Sequence, residues 1–77
     1  MARNLFKKRL LNQAAKNHLS VHRGATAKEI AYDGKIDNGR LLRSHKMGST
    51  NPQQAYAWLR VDPDFILKSD GKFYLKG

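Results

Sequence analysis

Over residues 4–19 the apolar positions Leu5, Phe6, Leu10, Leu11, Ala14, Ala15 and Leu19 recur at spacings of four and five, which places them on one stripe of an α-helix. Lys7, Lys8, Asn12 and Lys16 take the opposite face. A first helix is therefore expected over about 4–19. Residues 20–25 form a short link, in which Val21-His22-Arg23 is expected to make a brief strand against the C-terminal ribbon. Thr26-Ala-Lys-Glu29 has the form of a capping box, with Thr26 as N-cap and Glu29 reaching back to its amide. A second helix follows over about 27–33, with Ile30 and Ala31 facing the core and Gly34 ending it.

Ile36, Leu41, Leu42 and Met47 are apolar, but Gly34, Gly39 and Gly48 interrupt them. A short helix is expected over 40–46 and a loop after it. Asn51-Pro-Gln-Gln54 is a helix start, with Asn51 as N-cap, Pro52 at the first helical position and Gln54 completing a capping box. The third helix runs over about 52–60, with Ala55, Trp58 and Leu59 turned inward. Asp62-Pro63 stops it, because the residue before a proline resists helical geometry.

The chain closes on "FILKSDGKFYL", a hairpin over about 65–75. A two-residue turn on Asp70-Gly71 would mix Ile66, Lys68, Phe73 and Leu75 on one face. A three-residue turn, Ser69-Asp70-Gly71 with Gly71 left-handed, pairs Leu67 with Phe73 and Phe65 with Leu75 and leaves one face wholly apolar. The second register is preferred. It sets Lys68 against Lys72, a like-charge pair that an anion would relieve unless both ammonium groups splay into water. The elements together predict an α+β fold, a single domain over 1–77 built as a small winged helix of three or four helices plus a C-terminal β-hairpin wing.

Composition narrows the function classes. At 77 residues only about 60% of the unfolded surface can be buried, so the core is small. The chain has no cysteine, hence no disulfide and no thiolate zinc site, which suits a reducing compartment. The longest apolar run spans 55–59, far short of a membrane span. The N-terminus lacks the apolar core of a signal peptide. The expectation is a soluble cytoplasmic protein without membrane, cofactor, metal or small-molecule partner.

Fifteen Lys and Arg against six Asp and Glu give a formal charge of +9. No acid precedes Glu29, whereas Arg3, Lys7, Lys8 and Arg9 cluster near the start, and a second acid-free stretch over 38–61 carries Arg40, Arg43, Lys46 and Arg60. Such self-repulsion suits a polyanionic partner, with nucleic acid the commonest. Arg3, Lys7, Lys8, Arg9, Arg40, Arg43 and Lys46 are candidate phosphate contacts.

"TAKEIA", "STNPQQAYAWL" and "DPDFILKSDGKFYL" together resemble the winged helix-turn-helix domains of the HARE-HTH kind, in which a Lys-Glu-Ile helix, a Thr-Pro helix start and an Asp-x-x-Phe hairpin recur. The likeness covers about 26–75, roughly two-thirds of the chain, with Asn51-Pro52 standing where Thr-Pro is usual. The resemblance implies contact with double-stranded DNA, the third helix in the major groove and the wing along the backbone or minor groove. Gln53, Gln54, Tyr56, Ala57 and Arg60 would then face outward from that helix. Gln suits adenine, Arg suits guanine, and Tyr56 would stack or reach a phosphate. Lys68 and Lys72 become wing contacts. The implied role is an accessory or regulatory factor, in transcription for example, and nucleoid-associated.

Other readings are weaker. His18 and His22 have the spacing of a helical zinc clamp, but the first helix is expected to end between them and no acid lies near in sequence. Asp64, Asp70 and Lys72 imitate a metal-dependent nuclease set, although Asp70-Gly71 already serves the turn and the sheet is too small. No catalytic motif stands, so an enzyme is not expected. The rival function class is a protein-interaction module, of the kind a virus or mobile element encodes, docking on an acidic host protein.

Overall fold

The computed structural model describes residues 2–45 and 50–76, with side chains from Leu5 onward. Helix α1 spans Ala2–Val21, α2 Ala27–Asp33 and α3 Pro52–Val61, and strands β1 (Phe65–Leu67) and β2 (Phe73–Leu75) close the chain. A 3-10 turn, Leu42–Ser44, lies between α2 and α3. The fold is α+β, three helices and an antiparallel C-terminal hairpin, an arrangement compatible with a small winged helix. No helix among the described residues is long and apolar enough to cross a membrane.

The local signals act as their chemistry requires. Thr26 accepts from the Glu29 amide at 3.2 Å while its own N–H donates to the Glu29 carboxylate at 2.9 Å, so the capping box of α2 is closed. Asn51 accepts from the Gln54 amide at 2.7 Å, and Pro52 opens the first turn of α3. That cap is one-way, since the Gln54 side chain does not return to the Asn51 backbone.

In the hairpin, Phe65 pairs with Leu75, Ile66 with Tyr74 and Leu67 with Phe73, the register of the three-residue turn. Gly71 has φ +81°, a conformation that glycine adopts without the cost a Cβ brings. Phe65 and Phe73 enter the core with Leu10, Leu11, Ala14, Ala15, Leu19, Ile30, Leu42, Ala55 and Leu59. Phe73 is fully buried.

Several expectations are corrected. The first helix takes in Val21 and ends there, between His18 and His22, and the His22 amide still donates to the His18 carbonyl at 3.0 Å. The expected strand at Val21-His22-Arg23 is therefore absent. Its role falls to Ala25, which exchanges two backbone bonds with Phe73, at 3.1 and 2.7 Å. Leu5 and Phe6 carry the apolar stripe beyond the core and are exposed. Trp58, turned inward as expected, packs half-buried against the core.

The expected helix over 40–46 is a 3-10 turn within its described part, because Lys35 and Leu41 pair in an isolated bridge that keeps the preceding chain extended. Lys46, Met47, Gly48 and Ser49 lie outside the described residues, as does the side chain of Arg3.

The polar face of α1 is also not simply solvated. Asn12 donates to Asp62 at 2.8 Å and to Asp64 at 3.0 Å, and Lys16 pairs with Asp64 at 3.1 Å. Asn17 donates to the Lys35 carbonyl and to Asp37, while Gln13 accepts from the Asp37 amide. This face fixes both the turn after α3 and the loop after α2.

Candidate nucleic-acid interface

The exposed strip of α3 carries Gln53, Gln54, Tyr56, Ala57 and Arg60. At 3.6 residues per turn, Gln54 leans toward the Trp58 side and Gln53 toward the Tyr56 side. The two glutamines, adjacent in sequence, consequently serve different flanks of the helix.

On the Trp58 flank, a cleft of about 570 Å³ is lined by Lys7, Tyr32, Arg43, Thr50, Asn51, Gln54 and Trp58. Helix α1 brings Lys7 there, and the 3-10 turn brings Arg43. Lys8 stands 5.8 Å from the Trp58 ring centroid, at the outer range of a cation–π contact. On the Tyr56 flank, a shallower notch of about 400 Å³ is lined by Thr26, Ala27, Lys28, Pro52, Gln53, Tyr56 and Gly71. Tyr56 is held by an edge-on contact with Phe73, centroids 5.7 Å apart.

No Asp or Glu is among the described residues lining either recess. Three of the acids instead gather in a groove between α1 and the end of α3, where Asp37, Asp62 and Asp64 meet Lys8, Arg9 and Lys16. Asp64 is held below the usual carboxylate range, first by the Asn12 hydrogen bond and then by Lys16. Lys16 and Asp64 are thus mutually committed, and no acid lines the cleft of Lys7 and Arg43 among the described residues.

The wing resolves its own like-charge problem. Lys68 swings over the Tyr74 ring, 4.3 Å from its centroid, and Asp70 supplies the anion. The Tyr74 hydroxyl donates to Asp70 at 2.5 Å and the Lys72 amide donates to it at 2.8 Å. These bonds, in that order, hold the Asp70 carboxyl low, with the Lys72 and Lys68 charges adding to them. The same bond raises the Tyr74 hydroxyl. Glu29 is lowered chiefly by its bond from the Thr26 amide, with a smaller contribution from the Lys72 charge.

The expected contacts are therefore only partly brought together. Lys7, Arg43 and Gln54 share one recess, and Gln53 and Tyr56 share the other. Lys8 and Arg9 border the acidic groove. Arg40 lines neither recess and sits on the turn with Asp37, its amide donating to Asn38. Arg60 stands exposed in the last turn of α3, and Lys68 and Lys72 flank the wing turn.

Sequence reasoning missed Lys28, which the second helix sets beside the wing glycine, and the cleft role of Tyr32 and Thr50. Nothing local marks Lys28. Its neighbours come from α3 and the hairpin, more than twenty residues away in sequence.

Asp64 and Asp70 stand at opposite ends of the hairpin, one before β1 and one in the turn, so the nuclease-like set does not assemble. His18 and His22 stack with centroids 4.3 Å apart, yet no group of three metal-ligating side chains occurs among the described residues. The chain matches no protein-family model, no curated protein and no solved structure.

Proposed function

We propose that the protein is a non-catalytic DNA-binding factor of the winged-helix class, HARE-HTH-like, that places α3 in the major groove of duplex DNA. The observation carrying this reading is that both recesses beside the exposed strip of α3 hold cations and, among the described residues, no acid. In this reading Lys7 and Arg43 on one flank, and Lys28 with the wing lysines on the other, would meet phosphates bordering a groove. Gln53, Gln54 and Arg60 supply the base-reading chemistry. The factor would act in the cytoplasm, on the nucleoid, as an accessory or regulator of transcription.

The test is fluorescence anisotropy of a labelled random duplex, titrated at roughly 50 and 200 mM salt, where counterion release makes the affinities differ widely. Micromolar or tighter binding that collapses with salt supports the reading. A folded protein of charge +9 that ignores DNA at low salt sinks it, and an acidic protein partner becomes the leading alternative.

A further inference from the structure

We propose that the notch beside Tyr56 receives the C5-methyl group of a thymine, so that the interface selects an A·T pair through hydrocarbon contact. This rests on the DNA-binding reading above and adds a base preference to it. The notch lies between the segment Thr26-Ala27-Lys28, the first turns of α3 and the hairpin turn. Ala27, Pro52 and Tyr56 give it hydrocarbon walls, and the Tyr56 ring rests edge-on against the buried Phe73.

Gly71 keeps the third side low, since even an added Cβ there would meet nothing within 4 Å. Thr26, Lys28 and Gln53 are the polar members of the rim, and no acid joins them.

An apolar recess edged by a lysine on a groove-reading helix suits an apolar group carried by a polyanion. In the major groove the bases show donors and acceptors, and the thymine methyl is the hydrocarbon among them. Gln53 sits at the same notch, and its side-chain amide offers the donor and acceptor that match adenine N6 and N7. Methyl and amide would then read neighbouring positions of one A·T-rich step.

The experiment compares two alternating duplexes of equal length, dA-dT and dA-dU, which differ in the methyl alone. Titrated at low salt, the thymine duplex is expected to bind about fourfold tighter for one buried methyl. Tyr56→Ala should bring the ratio close to one. Gly71→Asn should do the same by filling the rim, and asparagine tolerates the positive φ at that position. Lys68→Glu, away from the notch, should weaken both duplexes and keep the ratio.

Equal binding of the two duplexes overturns the methyl contact and leaves DNA binding standing. Binding of neither at low salt removes both proposals. A preference that survives in folded Tyr56→Ala and Gly71→Asn variants belongs to duplex shape and overturns the notch.

Discussion

At the scale of single residues, the two sides of the chemistry are conformational strain and charge. Gly24 has φ +83°, and a Cβ there would stand 2.6 Å from the Tyr74 ring, whereas Gly39 has φ +81° and open space. Alanine at Gly39 should cost about 1–2 kcal/mol for the left-handed backbone alone. Gly24→Ala should cost clearly more in chemical denaturation, and equal costs would show that the Tyr74 ring simply moves aside. His18 is held below the ordinary histidine value of 6.5, first by burial and then by the charge of His22, with Asp33 and Glu29 pulling the other way. A depressed histidine binds its proton more readily in the unfolded chain, so stability falls as pH drops below about 6.5. Denaturation midpoints at pH 7.5 and 5.5 should separate more for the wild type than for His18→Gln. For the wing, Lys68→Glu with Lys72→Glu should leave the fold intact and reduce the DNA salt slope by about two phosphate contacts. Unchanged affinity in that folded variant would remove the wing from the interface.

At the scale of elements, the Asn12 clamp ties α1 to the turn that ends α3. Asn12→Ala leaves Asp62 and Asp64 without that donor and should lower stability at neutral pH. Asp64 has a depressed folded value, so its contribution is present above the unfolded carboxylate range and lost as pH falls through the folded one. The gap between wild type and Asn12→Ala should accordingly narrow below about pH 4, and a gap independent of pH would assign the loss to packing. What the sequence disclosed follows from the same distinction between local and distant causes. The caps at Thr26 and Asn51 and the hairpin register were legible because each depends on residues a few positions apart. The Ala25 bridge to Phe73 was displaced from its expected place because nothing local says where α1 stops when its last turn bonds onward to His22. The inward, half-buried place of Trp58 was legible from its spacing, whereas the approach of Lys8 to its ring was not. Of the candidate interface, the exposed strip of α3 was legible, but the split of Gln53 from Gln54 and the arrival of Lys28 were not, since both depend on how helices and hairpin assemble.

At the scale of the whole molecule, a charge of +9 on 77 residues makes the folded state repel itself. Added salt should therefore raise the thermal midpoint of the free protein while it lowers DNA affinity, two opposed responses readable in the same buffers. A midpoint that falls with salt would mean that attractive pairs such as Lys16 with Asp64 outweigh the repulsion. The bond pair between Ala25 and Phe73 joins segments 48 residues apart (73 − 25), and Phe73 also supports Tyr56 of α3. In hydrogen exchange the Ala25 and Phe73 amides should consequently be released together, and only by opening of the whole domain. The wing would then not fray independently of the helix it flanks: time spent with one out of place is time spent with the other out of place as well.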